Sequence, residues 1–170
     1  MPTSSAGTTN KYRRGVTLIE MMVVVAIMAL IAGISFPAVT SGIESMRLSQ
    51  ATRSVVQFLN AGLNRAERRQ SVVEITISKA DNALWLRSTE AGYEKKLELP
   101  EGVRIVDVLP SLSDIPGADV EPIRTFAIFP GGTTPRFGVR LVNRRGAQRV
   151  VAVDPITGVP RVESPPKGSE

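Results

Sequence analysis

The chain contains neither cysteine nor histidine in its 170 residues. Without a thiol there is no disulfide to brace a small core, and no sulfur nucleophile. Without an imidazole there is no Ser-His-Asp relay, no histidine general base and no histidine-ligated metal. Carboxylates remain, but they are scattered and no close pair stands out, so no enzymatic activity, metal or cofactor is expected. Aromatic residues make up only 5% of the chain, too few for a platform on which single-stranded bases would stack. Charge is missing too, over one stretch: from Met21 to Phe36 there is none.

That stretch belongs to an apolar run, Val16 to Phe36, of 21 residues. As a helix it spans about 32 Å at about 1.5 Å per residue, matching a hydrocarbon core of about 30 Å. Lys11, Arg13 and Arg14 stand just before it, so the positive-inside rule places the N-terminus in the cytoplasm and the rest of the chain outside. A secretory signal peptide shares the order of basic then apolar residues, but this run is longer than the usual apolar region of such a signal. No convincing small-residue cleavage site lies in Ala32–Ala38. The net charge of +5 falls to +2 once the three leader cations, which no leader acid balances, are set aside. The one anomaly is Glu20. A carboxylate costs about 2.5–3.5 kcal/mol at the centre of a membrane helix and less toward its end, so it calls for a partner.

The string Gly15-Val16-Thr17-Leu18-Ile19-Glu20, behind a basic leader and ahead of an apolar helix, resembles the type IV prepilins and the pseudopilins of type II secretion. Val16 stands where phenylalanine is common. The resemblance covers Lys11 to about Pro37. It implies that a prepilin peptidase cuts after Gly15 and methylates the new amine of Val16. It also implies an anchor in the bacterial inner membrane, with the following domain in the periplasm. Other pilins or pseudopilins become the partners of that helix. In such filaments the carboxylate of Glu20 faces the terminal ammonium of a neighbouring subunit. An ion pair in a low-dielectric core is strongly attractive and costly to break, which makes Glu20 a register device. Paired in this way, the chain would have a subunit above it and would not be the extreme tip.

Beyond Pro37, Leu48, Ala51, Val55, Phe58, Leu59, Gly62, Leu63 and Ala66 recur at three- and four-residue spacing among polar neighbours. This predicts an amphipathic continuation of the helix over 37–70, bent or loosened near Gly33–Pro37. After Gln70 the period becomes two. Strands are predicted around Val73–Ile77, Ala83–Arg87, Tyr93–Leu99, Val103–Val108, Arg124–Phe129, Phe137–Asn143 and Gln148–Asp154, with turns at Asp81-Asn82, Glu90–Gly92, Pro100–Gly102, Pro130–Gly132 and Asn143–Gly146. Leu109–Ile123 reads as a long loop or edge crossing, and the tail from Ser164 as disordered. The fold class is α+β: a long helix packed on a C-terminal antiparallel β-sandwich over 71–163, as in pilins.

The outer domain resembles the GspH/FimT family of minor pseudopilins and minor pilins. The resemblance rests on Thr125-Phe126-Ala127-Ile128-Phe129-Pro130-Gly131-Gly132-Thr133 and on Val153-Asp154-Pro155-Ile156-Thr157-Gly158-Val159-Pro160-Arg161. Gly131 replaces the Asp or Asn frequent at its position. The family implies either an accessory subunit of the type II secretion pseudopilus or a FimT-like pilin that binds DNA. For DNA, Arg124, Arg136, Arg140, Arg144, Arg145 and Arg149 lie in a segment without acids, and Arg161 keeps one arginine of a Gly-Arg-x-Arg tail. The hairpin tip at Arg144 and Arg145 could meet phosphates without reading sequence. Against that, Arg136 and Arg140 are what the solvated face of a half-buried strand requires.

Overall fold

The computed structural model describes residues 15–90, 92–111, 123–131 and 134–163, with the side chains of 35–39 left aside. The leader up to Arg14, most of the expected loop over 109–123, Gly132-Thr133 and the tail from Ser164 lie outside the described residues. One helix, α1, runs Leu18–Arg69, and eight strands follow: β1 Val73–Ser78, β2 Ala83–Ser88, β3 Glu94–Glu98, β4 Val103–Leu109, β5 Ile123–Ile128, β6 Gly138–Asn143, β7 Gln148–Val153 and β8 Pro160–Glu163. The chain divides into two units, before and after Thr40/Ser41.

In the first unit every described apolar side chain from Val16 to Ile34 is exposed. Leu18 is 79% and Ile34 69% exposed. Such a surface needs an apolar medium or an apolar neighbour. Among the described residues no helix is long and apolar enough to cross a membrane. The first continuous run of described side chains on α1 ends at Ile34, whereas the apolar run of the sequence continues to Phe36. The helical path itself passes Pro37 without a break.

In the second unit the predicted stripe is the buried face of α1: Leu48, Ala51, Val55, Leu59 and Ala66 are all at most 4% exposed. Gly62 belongs to that face because nothing larger fits easily. A Cβ there would come within 2.9 Å of Leu86 Cδ1 and 3.4 Å of Ile75 Cδ1. The helix ends in a Schellman motif. Gln70 adopts the left-handed conformation (φ 51°), Ser71 N donates to Ala66 O at 3.3 Å, and Gln70 Nε2 donates to Glu67 O at 2.7 Å. That motif is why the period changes just after Gln70.

The strands form two antiparallel sheets, ordered β3-β2-β1-β5 and β4-β6-β7-β8. In the first, Ile75 faces Leu86 on one side and Phe126 on the other, and Ile77 faces Leu84. Their shared face is buried, while Glu74, Thr76 and Arg87 alternate outward. In the second sheet, Val139 pairs with Val151 and Leu141 with Ile105. These side chains and the helix stripe make one apolar cluster. Phe126 and Phe137 stack with centroids 4.4 Å apart, linking β5 to the residue before β6. The α+β expectation thus holds, with an antiparallel sheet pair sharing the helix stripe as its core. β3 is charged and exposed at every position but the half-buried Leu97, which protects an edge strand from further pairing.

Strand ends shift by a residue or so from the sequence reading, and two features of the second sheet were not expected at all. β4 carries a bulge between Ile105 and Asp107, which shifts the alternation so that Val108, opposite Val139, is buried in place of Asp107. β8 was not expected as a strand, because a four-residue segment opening on proline carries almost no pattern. Proline is tolerated at the first residue of an edge strand, and Pro160 sits there, opposite Val153.

Candidate assembly and surface sites

Gly15, Val16 and Thr17 precede the helix, outside regular structure and exposed. The peptide bond between Gly15 and Val16 is therefore not locked in helical hydrogen bonding. Thr17 is the N-cap: its Oγ1 accepts from Glu20 N at 3.3 Å, and its carbonyl accepts from Met21 N at 3.2 Å. Thr17-x-x-Glu20 is the signature of a capping box, a local role for these residues that the sequence reading missed although the spacing was in view. Glu20 also lies in the first turn, where the helix dipole favours an anion by about 0.3–1 kcal/mol. That is smaller than the few kcal/mol an unpaired carboxylate costs in an apolar medium.

The arginines of the outer domain do not form one surface. Arg124 Nη1 donates to the carbonyls of Val108 and Pro110, each at 2.6 Å, and its guanidinium lies 5.1 Å from the centroid of Phe126. Arg140 stands 4.0 Å from Asp107 on the neighbouring strand, and Arg161 3.9 Å from Asp154. These three tie the domain to itself. Arg136 is exposed beside a groove of about 310 Å³ that Leu109, Gly138 and Ala152 also line. Arg144, Arg145 and Arg149 are exposed in and after the β6–β7 turn.

Asn143 builds that turn. Its Oδ1 accepts from Arg145 N at 3.1 Å and Ala147 N at 2.9 Å, and its Nδ2 donates across to the Glu44 carbonyl on α1 at 3.4 Å. Gly102, in the β3–β4 turn with φ +88°, closes the third side. A Cβ there would lie 3.2 Å from Glu44 Oε2 and 3.3 Å from Arg144 Nε. Glu44 pairs with Arg47 at 3.5 Å, while its Oε2 is buried without a hydrogen-bond partner among the described residues.

Both strings that carry the family resemblance meet α1 toward its other end. Gly131 N donates to Glu67 Oε1 at 3.0 Å, and Gly158 packs on Leu63, whose Cδ1 would lie 2.9 Å from a Cβ. Asp154 organises the loop around Gly158. Its Oδ1 accepts from Ile156 N at 2.8 Å and Thr157 N at 3.1 Å. Those backbone hydrogen bonds, with Arg161 nearby, hold its carboxyl below the ordinary carboxylate range.

Residues 10–36 match the prokaryotic N-terminal methylation motif, the processing and methylation signature of type IV prepilin-like proteins. Neither a curated protein nor a solved structure matches the chain.

Proposed function

We propose that the chain is a minor pseudopilin, a non-enzymatic accessory subunit of the periplasmic pseudopilus of a type II protein secretion system. The observation that carries this reading is the methylation motif over 10–36. It coincides with an exposed, non-helical Gly15–Thr17 and with the uncharged stretch Met21–Phe36 of α1, headed by Glu20. The assignment to the GspH/FimT type is supported by the two quoted strings, which form β5 with its turn and the β7–β8 connection. Both dock on the last turns of one long helix. In this reading the prepilin peptidase cuts between Gly15 and Val16, Val16 becomes the methylated terminus, and the Val16–Phe36 segment spans the inner membrane before assembly. Glu20 then pairs with the terminal ammonium of the neighbouring subunit.

The test is mass spectrometry of the protein from cells that carry a prepilin peptidase. The expected mature N-terminus is methylated Val16, absent when the peptidase is deleted. An uncut chain in both strains would sink the proposal. Co-purification with type II secretion pseudopilins, rather than with pilus subunits, would place it in the secretion machine.

A further inference from the structure

The single tryptophan of the chain stands on the solvent side of its strand. Ile75, Ile77, Leu84 and Leu86 fill the buried face of the first sheet, so Trp85, which faces Thr76 in the β1–β2 register, lies on the outward face. There it is half-buried and lines a groove of about 290 Å³ with Glu74, Thr76, Asp81 and Arg87. A large ring on that side adds nothing to the core, and tryptophan is the side chain that most often anchors a bound partner. We infer that the groove binds an extended, basic segment of a partner protein. Two lysine or arginine side chains of that segment, four residues apart, straddle Trp85.

The charges around the ring set that spacing. Two carboxylates on this side of the sheet already have cations: Glu94 has Arg87 at 3.5 Å and Glu98 has Lys96 at 2.6 Å. Glu74 and Asp81 are in no ion pair among the described residues. Arg87 faces Glu74 across the register, but its guanidinium is the one paired with Glu94. Lys79 shares the turn of Asp81 without lining the groove. Ser78 Oγ donates to Asp81 Oδ2 at 2.8 Å and accepts from Asp81 N at 3.1 Å, which fixes that carboxylate at the Ser78 end of β1. Glu74 and Ser78 are four residues apart on one strand, about 13 Å at about 3.3 Å per residue. The Thr76–Trp85 pair lies midway between them.

The groove therefore presents negative charge, aromatic ring and negative charge in a row. An extended peptide covers the same 13 Å or so in four of its own residues, and side chains four apart on it share one face. Its basic heads meet Glu74 and Asp81, while their stems lie on Trp85 and on Ile123, which is 48% exposed in the same groove. The attraction of this ring for a cation is already visible within the chain: Lys96 Nζ lies 5.3 Å from its centroid. Lys96 reaches the ring from β3 and does not line the groove.

Because Trp85 is the sole tryptophan, its fluorescence reports this site alone. The full chain in non-ionic detergent is titrated with a capped five-residue peptide that has lysine at both ends and serine and glycine between. The expected result is a saturable change in Trp85 emission, with affinity falling several-fold between about 0.05 and 0.2 M salt. Glu74→Gln and Asp81→Asn should each weaken binding by about two- to fivefold without changing thermal unfolding. Glu74 makes no hydrogen bond that holds the turn, so Glu74→Gln keeps the test open if Asp81→Asn disturbs it. A peptide of the same charge with its lysines adjacent should bind less well. No emission change at millimolar peptide, or binding that ignores both carboxylate substitutions, overturns the inference. An equal response to the adjacent-lysine peptide or to spermidine assigns the groove to small polycations and overturns it as well. A salt-insensitive response to maltotriose, with none to the peptide, assigns it to a neutral glycan, with the same consequence.

Discussion

The side-chain amide of Asn82 docks on the backbone at Ile105. Its Oδ1 accepts from Ile105 N at 2.9 Å, while its Nδ2 donates to the Val103 carbonyl at 2.8 Å. Asn82 belongs to the turn between β1 and β2, and Ile105 to β4 in the other sheet. The pair therefore spans the two sheets at a point where no backbone ladder joins them. Asn82 also has φ 51°, a conformation asparagine tolerates better than most side chains.

Asn82→Ala should destabilise the domain by about 2–5 kcal/mol. Two hydrogen bonds worth about 0.5–1.5 kcal/mol each are lost, and alanine is strained in the left-handed region by about 1–2 kcal/mol. Asn82→Gly relieves the strain only, so it should fall between alanine and the parent in urea denaturation. A glycine variant as stable as the parent would show that the docking contributes nothing.

Gly62 tests the closeness of α1 to the first sheet. Gly62→Leu must displace Leu86 and Ile75, and overpacking of this kind costs about 1–3 kcal/mol or more. Gly62→Ala sets a helix-propensity gain of about 1 kcal/mol against a contact of 2.9 Å with the movable end of Leu86. It should change the melting temperature little. The contrast between the two variants, measured by thermal unfolding, reports the gap between helix and sheet.

Thr17 and Glu20 separate local from intermolecular roles. Thr17→Ala should weaken the helix start by about 1 kcal/mol and only reduce incorporation into filaments. Glu20→Gln keeps the backbone donor of the cap but removes the charge, so incorporation should be lost. Neither substitution should move the unfolding of the outer domain, whose core begins at Leu48. Normal incorporation of Glu20→Gln would disprove the ion-pair account.

Asp154 gives a pH dependence with a definite sign. Its carboxyl titrates below the ordinary value of 3.8, chiefly through the backbone hydrogen bonds from Ile156 and Thr157. The ionised form is therefore favoured in the fold. Its stabilisation is fully present above the ordinary value and is lost as pH falls through the lower folded value. Asp154→Asn retains an acceptor for the loop but not the charge, so its stability should decline less between pH 4 and more acidic conditions. Because the group is exposed, the difference should be small and should shrink further with salt. Acid unfolding curves of the two proteins at low and high salt check this.

Much of the architecture was legible because it rests on periodicity. Apolar residues at three- and four-residue spacing marked the buried face of α1, and alternation marked β1 and β2, since burial on one side dictates those periods. The methylation motif was legible for a different reason: a peptidase and a helical filament read a contiguous string, and contiguous strings survive in one dimension. β8 was not legible, because four residues opening on Pro160 have no period to detect. The capping by Thr17 was in the spacing but was overshadowed by the charge of Glu20.

The sequence by itself determined the helix, its apolar and amphipathic halves, the change to strands after Gln70 and the methylation motif over 10–36. Each depends on residues near one another along the chain. Only the tertiary structure decided what the arginines do. Arg124, Arg140 and Arg161 face the carbonyls of Val108 and Pro110, the carboxylate of Asp107 and that of Asp154. Arg144 and Arg145 are exposed at the β6–β7 turn. The reason is that a guanidinium takes its role from the acceptor within a few ångströms of it. Glu44 and Asn143, 99 residues apart in the chain, become neighbours only when the sheets close on the helix.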